Sequence, residues 1–111
     1  MKDPTIQDWL WVEVMFIQAM IGAISSNFRQ IVLSYENNEW ILIVTLEKDS
    51  DEDREEVVDI VEEFSIFLED IKDKISDVAY VSARAVIVIT NDKMDSNISK
   101  NERVMFRRKE S

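Results

Sequence analysis

The sequence predicts an α+β domain in the order α-β-β-α-β-β, a four-stranded antiparallel sheet with two helices packed mainly on one face. Three observations carry this prediction. Two segments repeat apolar residues at three- and four-residue spacing, the period of a helix face. The segments around them alternate side to side with β-branched and aromatic residues, the period of a strand. Asn37-Asn38 leaves only two residues between the first two strands, which demands a hairpin turn at positive φ. With 111 residues and 46% hydrophobic side chains, the chain suits one domain, residues 1–111, around one core.

The chain leads in with Asp3 placed as a cap and Pro4 near the first helical turn. From Ile6 to Ile24 a helical wheel gathers a broad apolar arc that includes Ile6, Leu10, Val14, Ile17 and Ile21 beside Trp9, Val12, Phe16 and Ala19. Such width implies burial against more than one neighbour. Trp11 and Met15, one turn apart, fall on the wetter side with Gln7, Asp8 and Gln18, where either another element covers them or they serve an interface. Glu13, inside the arc, calls for an arginine or backbone partner. The apolar run contains Glu13 and Gln18 and is shorter than the ~20 residues of a membrane span, so it reads as a buried helix.

Ser25, Ser26 and Asn27 end that helix, and Phe28 to Glu36 becomes a strand. Trp40 to Leu46 returns with Trp40, Leu42, Val44 and Leu46 on one face and Ile41, Ile43 and Thr45 on the other, which marks it as central. Beyond the second helix, Val78 to Thr90 reads as a long strand, Asn91 to Lys100 as a polar loop, and Arg103 to Arg107 as a last strand forming a second hairpin. The sheet face bearing Val32, Ile41, Ile43, Val86 and Val88 is then unusually apolar, and a helix or another chain is expected to cover it. The tail ends in Arg107, Arg108, Lys109 and Glu110, a solvated terminus or a partner for the acidic helix.

The second helix is the most informative segment. Asp49 to Asp73 holds twelve carboxylates against Arg54 and Lys72, a local charge of −10 that equals the formal charge of the whole chain. Ser50 with Asp53 makes a capping start, and the acids of the first turns meet the positive end of the helix dipole. Lys72 and Lys74 occupy the last turn, and the helix is expected to end near Lys74 to Asp77. Val57, Val58, Ile60, Val61, Phe64, Phe67, Leu68, Ile71 and Ile75 share the inner face. The outer face gathers Glu55, Asp59, Glu62, Glu63, Glu69, Asp70 and Asp73 around a single apolar residue, Ile66. Solvated helix faces ordinarily mix signs, because glutamate-to-lysine pairs four apart stabilise them. Here Glu55 with Asp59 and Asp59 with Glu63 repel instead, a repulsion that a cationic partner relieves, with Ile66 as its apolar anchor.

Composition narrows the chemistry. There is no cysteine and no histidine, and Gly22 is the single glycine. Disulfides, thiolate nucleophiles, zinc sites and phosphate-cradling glycine loops therefore drop out. No catalytic group, metal or cofactor is expected, and a pI near 4.4 argues against nucleic acid or anionic membrane as partner. Asp49, Asp51 and Asp53 alternate like half a calcium loop, but Arg54 and Ile60 stand where that loop needs glycine and glutamate. Asn97-Ile98-Ser99 spells a glycosylation acceptor without meaning in a cytoplasmic chain.

Ala19 to Arg29, AMIGAISSNFR, followed by a strand pair with a bare turn, then Asp51 to Glu56, DEDREE, and Val57 to Phe64, VVDIVEEF, resembles small bacterial immunity proteins of contact-dependent growth inhibition and other polymorphic toxin systems. The likeness runs from Phe16 to about Leu68. It implies a cytoplasmic, non-catalytic inhibitor that binds an incoming toxin domain, often a basic nuclease. Glu55, Asp59, Glu62, Glu63, Ile66, Glu69 and Asp70, with Trp11 and Met15, are the expected partner-binding residues. Two other classes stay open: a homodimeric structural or regulatory module associating through the apolar sheet face or through Trp11 and Met15, and a carboxylate-based, magnesium-dependent enzyme.

Overall fold

Asn37 and Asn38 adopt φ of 52° and 61°, the left-handed pair that a two-residue hairpin needs to match strand twist. They join β1 (Phe28–Glu36) to β2 (Glu39–Leu46), antiparallel with Glu36 opposite Glu39. This computed structural model describes residues 3–94 and 98–109; Asn97 of the glycosylation triplet and Glu110 of the tail lie outside them. Its other elements are α1 (Ile6–Met20), α2 (Asp51–Asp70), β3 (Ala83–Ile89) and β4 (Glu102–Arg107), so the α-β-β-α-β-β order and the α+β class are as expected.

The sheet runs β3-β2-β1-β4 and is mixed. Its β1–β2 and β1–β4 pairs are antiparallel, whereas β2 and β3 are parallel, from Trp40 opposite Ala83 to Leu46 opposite Ile89. The physical reason is α2: its twenty residues span about 30 Å and carry the chain back along the sheet, so β3 starts at the same end as β2. β3 and β4 therefore occupy opposite edges, and the expected second hairpin does not form. On the helix-free face Lys93 and Met94, beyond β3, and Ile98, before β4, line an open groove of about 300 Å³ together with Val32, Ile43 and Val88. Lys93, Met94 and Ile98 thus lie against part of the apolar face that a helix or another chain was expected to cover; Val86 and Val88 remain partly exposed.

The core lies between the other face and both helices. Trp9 meets Trp40 edge to face at 5.0 Å, and Phe16 meets Phe64 at 5.2 Å, so α1 seats on the hairpin and α2 packs beside it. The helices run antiparallel. Phe16 pairs with Phe64, while Asp8 at the start of α1 accepts hydrogen bonds from Ser76 beyond the end of α2, N–H at 2.9 Å and hydroxyl at 2.7 Å.

Several boundaries differ from the sequence reading. Thr5, not Asp3, caps α1: its hydroxyl accepts from the Asp8 N–H while Asp8 accepts from the Thr5 N–H, a reciprocal box. α1 stops at Met20 because Gly22 turns left-handed, φ 82°. α2 stops at Asp70, leaving Lys72 and Lys74 beyond it. Val78 to Ser82 is not strand, since the carbonyls of Val78 and Ala79 are taken by the Tyr35 hydroxyl (2.7 Å) and the Trp40 indole N–H (2.8 Å). The largest correction concerns α1: Ile6, Leu10, Val14, Ile17 and Ile21 are exposed, because the sheet and α2 cover only part of the apolar arc. Val58 of α2 is likewise exposed, and Glu13 has no arginine or backbone partner for its side chain among the described residues.

Candidate partner-binding face

α2 is anchored at its start, and this sets where its acids point. The Ser50 hydroxyl accepts from the Asp53 N–H at 3.3 Å, closing the N-cap. Asp53 itself is buried, its carboxylate accepting from the Ser25 hydroxyl (2.9 Å) and the Asn27 amide (2.8 Å), while Asn27 also bonds the Lys48 backbone in both directions. Asp49 pairs with Arg54 at 2.6 Å. Two of the three alternating aspartates are thus committed to their own chain. These contacts wall a groove of about 500 Å³ whose polar groups, Arg108 with Glu47 among them, largely satisfy one another.

With the start fixed, helical spacing brings Glu55, Asp59, Glu62, Glu63, Ile66, Glu69 and Asp70 to the exposed side of α2. Ile66 is 60% exposed. Of these six carboxylates, Glu69 alone has a cationic partner among the described residues, Lys72 at 3.2 Å. The Tyr80 hydroxyl donates to Glu69 and, with Lys72, holds its carboxyl below the usual range; the same contact raises the Tyr80 phenol. The other described ion pairs, Arg84 with Glu39, Lys100 with Asp3 and Arg108 with Glu47, involve none of these acids. The basic tail turns elsewhere: Arg107 donates to Gln30, and Arg108 to the Ser26 carbonyl and Glu47.

Trp11 and Met15 do not join this face. They are half-buried against the core, on the side of α1 that carries Asp8 and Ala19 toward α2. What the sequence reading missed is the exposed stripe of α1. Its one signal was an arc wider than a single buried face requires. Between the helices, Ile21 shares a shallow groove of about 110 Å³ with Glu56, Asp59 and Glu63. None of the helices among the described residues is long and apolar enough to cross a membrane.

Fold and face together define a small acidic α+β protein that presents a charged helix surface. Residues 7–110, nearly the whole chain, match the model of the MafI2 immunity protein, and the chain belongs to that family. It is an immunity protein of a polymorphic toxin system, and the family implies a toxin as partner. No curated protein matches the chain.

Proposed function

We propose that this immunity protein neutralises its toxin in the cytoplasm by laying the outer face of α2 on a cationic surface of the toxin domain, without catalysis, metal or cofactor. The observation that supports this most is the open charge: Glu55, Asp59, Glu62, Glu63 and Asp70 project from one helix with no ion pair among the described residues. A toxin domain of the nuclease type holds phosphates with lysine and arginine, and a row of carboxylates competes for the same cations. The reading fits toxins delivered by contact-dependent growth inhibition as well as other polymorphic systems. Charge of one sign on one face also steers encounter.

The test is Asp59→Lys with Glu62→Lys, two exposed acids outside every described ion pair. Binding to the isolated, active-site-disabled toxin domain encoded beside this chain is expected to slow in association by at least about tenfold at low ionic strength, the deficit shrinking as salt is added. An association rate and affinity equal to wild type remove the acidic face from the interface.

A further inference from the structure

We infer that the free edge of β3 receives an extended strand of the toxin domain, which joins the sheet beneath the outer flank of α2. This rests on the toxin partner that the family implies and on the docking of α2 proposed above, and it adds the element of the toxin that the sheet takes up.

The order β3-β2-β1-β4 leaves one side of β3 without a neighbouring strand. The Trp40 N–H donates to the Ser82 carbonyl at 2.9 Å and the Thr90 N–H to the Leu46 carbonyl at 3.0 Å, so the even-numbered residues of this segment are the ones bonded to β2. In a parallel ladder alternate residues turn both backbone groups to the same side. Ala83, Ala85, Ile87 and Ile89 therefore turn theirs to the open edge, and no bond among the described residues takes them. The two edges of the sheet are built differently. β4 carries Glu102, Arg103 and Arg107 within six residues and meets β1 through a register shift at Ile31/Val32, charge and irregularity both being devices that turn away a foreign strand. β3 has seven residues, ARAVIVI, with Arg84 as their one charge, an unbroken register and no proline. Its outward N–H and C=O groups match the backbone of another extended segment.

The surroundings of the edge select the strand. α2 packs directly on β3, where the small side chains of Ala83 and Ala85 allow a close approach. The end of α2 and the entry to β3 border an open groove of about 410 Å³, lined by Ser65, Leu68, Tyr80, Val81, Ser82 and Ala83, and Glu69 reaches its rim by accepting from the Tyr80 hydroxyl. Helical spacing puts Glu55, Val58, Glu62, Ser65 and Glu69 in one row, so the row that passes this groove carries acids together with Val58, 54% exposed. On the helix-free side Val86 and Val88 are 37% and 40% exposed. A strand added here meets aliphatic neighbours on both faces and carboxylates on the helix side, which suits apolar side chains with a lysine or arginine directed to α2. A second copy fits badly. Its β3, paired antiparallel at about 4.8 Å, would set its own α2 on the same face, where two helices need about 8–10 Å between axes and would meet acid row to acid row.

The experiment is residue-resolved hydrogen exchange of the wild-type chain, with and without the disabled toxin domain encoded beside it. In the free protein the amides of Val86 and Val88, bonded to β2, are expected to exchange at least about 100-fold more slowly than those of Ala85 and Ile87, and the toxin domain is expected to slow Ala85 and Ile87 by a similar factor. Ala85→Pro removes an N–H that serves no ladder bond and sets the ring across the edge, so the fold is expected to survive while toxin binding weakens at least about 30-fold. Should that variant fail to fold, the exchange comparison decides alone. Ala85 and Ile87 amides that exchange as fast with the toxin domain bound as without it overturn the inference, as does wild-type affinity in a folded Ala85→Pro chain. If the charge reversal above still slows association in that case, docking through α2 survives without the strand. Protection of both amides with no charge effect keeps the strand and removes the acidic face. Protection already present in the free chain, with sedimentation showing a dimer, assigns the edge to a second copy and overturns the inference as well.

Discussion

Asp8→Asn tests what holds the two helices in mutual register. The Asp8 carboxylate accepts from the Thr5 N–H at 3.0 Å and from the Ser76 N–H and hydroxyl at 2.9 and 2.7 Å, and the side chain is buried. Burial opposes its ionisation, but the bonds from Ser76 and Thr5 outweigh that and bring the carboxyl below its ordinary value of 3.8. Asparagine keeps one acceptor and turns an amide NH2 toward a donor, so one charge-assisted bond is lost and a part-buried N–H, that of Ser76 or Thr5, loses its acceptor. The expected loss is about 2 kcal/mol, a urea midpoint lower by about 1–2 M. The sign of the pH dependence follows from the depressed carboxyl. The folded state releases this proton more readily than the unfolded chain, so the stabilisation is complete above the unfolded value and disappears as pH falls through the lowered folded one. Urea titrations followed by tryptophan fluorescence should show the gap between wild type and variant widest at pH 7 and closing below about pH 4. Equal midpoints at pH 7, or a gap that persists unchanged into acid, would refute the reasoning.

Phe64→Ala removes a fully buried ring that meets Phe16 edge to face, and thermal unfolding should register a loss of about 3–5 kcal/mol. Gly22→Ala isolates backbone strain. Nothing lies within 4 Å of the added methyl, so the cost comes from φ of 82° alone, about 1 kcal/mol in chemical denaturation with no change in core fluorescence.

What was legible in the sequence was local. Asn37-Asn38 specifies its turn because few residue pairs accept positive φ twice, and the two helices announce themselves by period. The outer face of α2 was legible for the same reason, since charge and helical spacing place carboxylates without knowledge of the rest of the chain. Sheet order was not. Whether β4 joins β3 or β1 depends on which edge is free once α2 has carried the chain back, a consequence of helix length and packing. Nor does the sequence separate Asp53 from its neighbours: it is one aspartate in an acidic run, and it turns inward only because Ser25 and Asn27, more than twenty residues earlier, arrive beneath it. α1 failed for a related reason. Periodicity shows which residues share a side of a helix, but burial depends on how many neighbours come, and α1 has fewer than its apolar arc is wide.

The contrast between the two helices bears on why α2 tolerates its charge. Like-signed pairs one turn apart, Glu55 with Asp59 and Asp59 with Glu63, each cost a few tenths of a kcal/mol, so the outer face works against its own helix. The opposing contributions are concentrated elsewhere: Ser50 at the cap, acids in the first turn where the dipole favours them, Asp53 held by Ser25 and Asn27, and Val57, Ile60, Phe64 and Leu68 in the core. Burying even one of those large side chains contributes about 1.5–3 kcal/mol, several times the repulsion of any pair. The helix is therefore secured from below, and of the six carboxylates on its upper face Glu69 alone has a described ionic partner. A surface so released is open to selection by what it meets, and the cationic toxin surface proposed above is a partner that would relieve its repulsion.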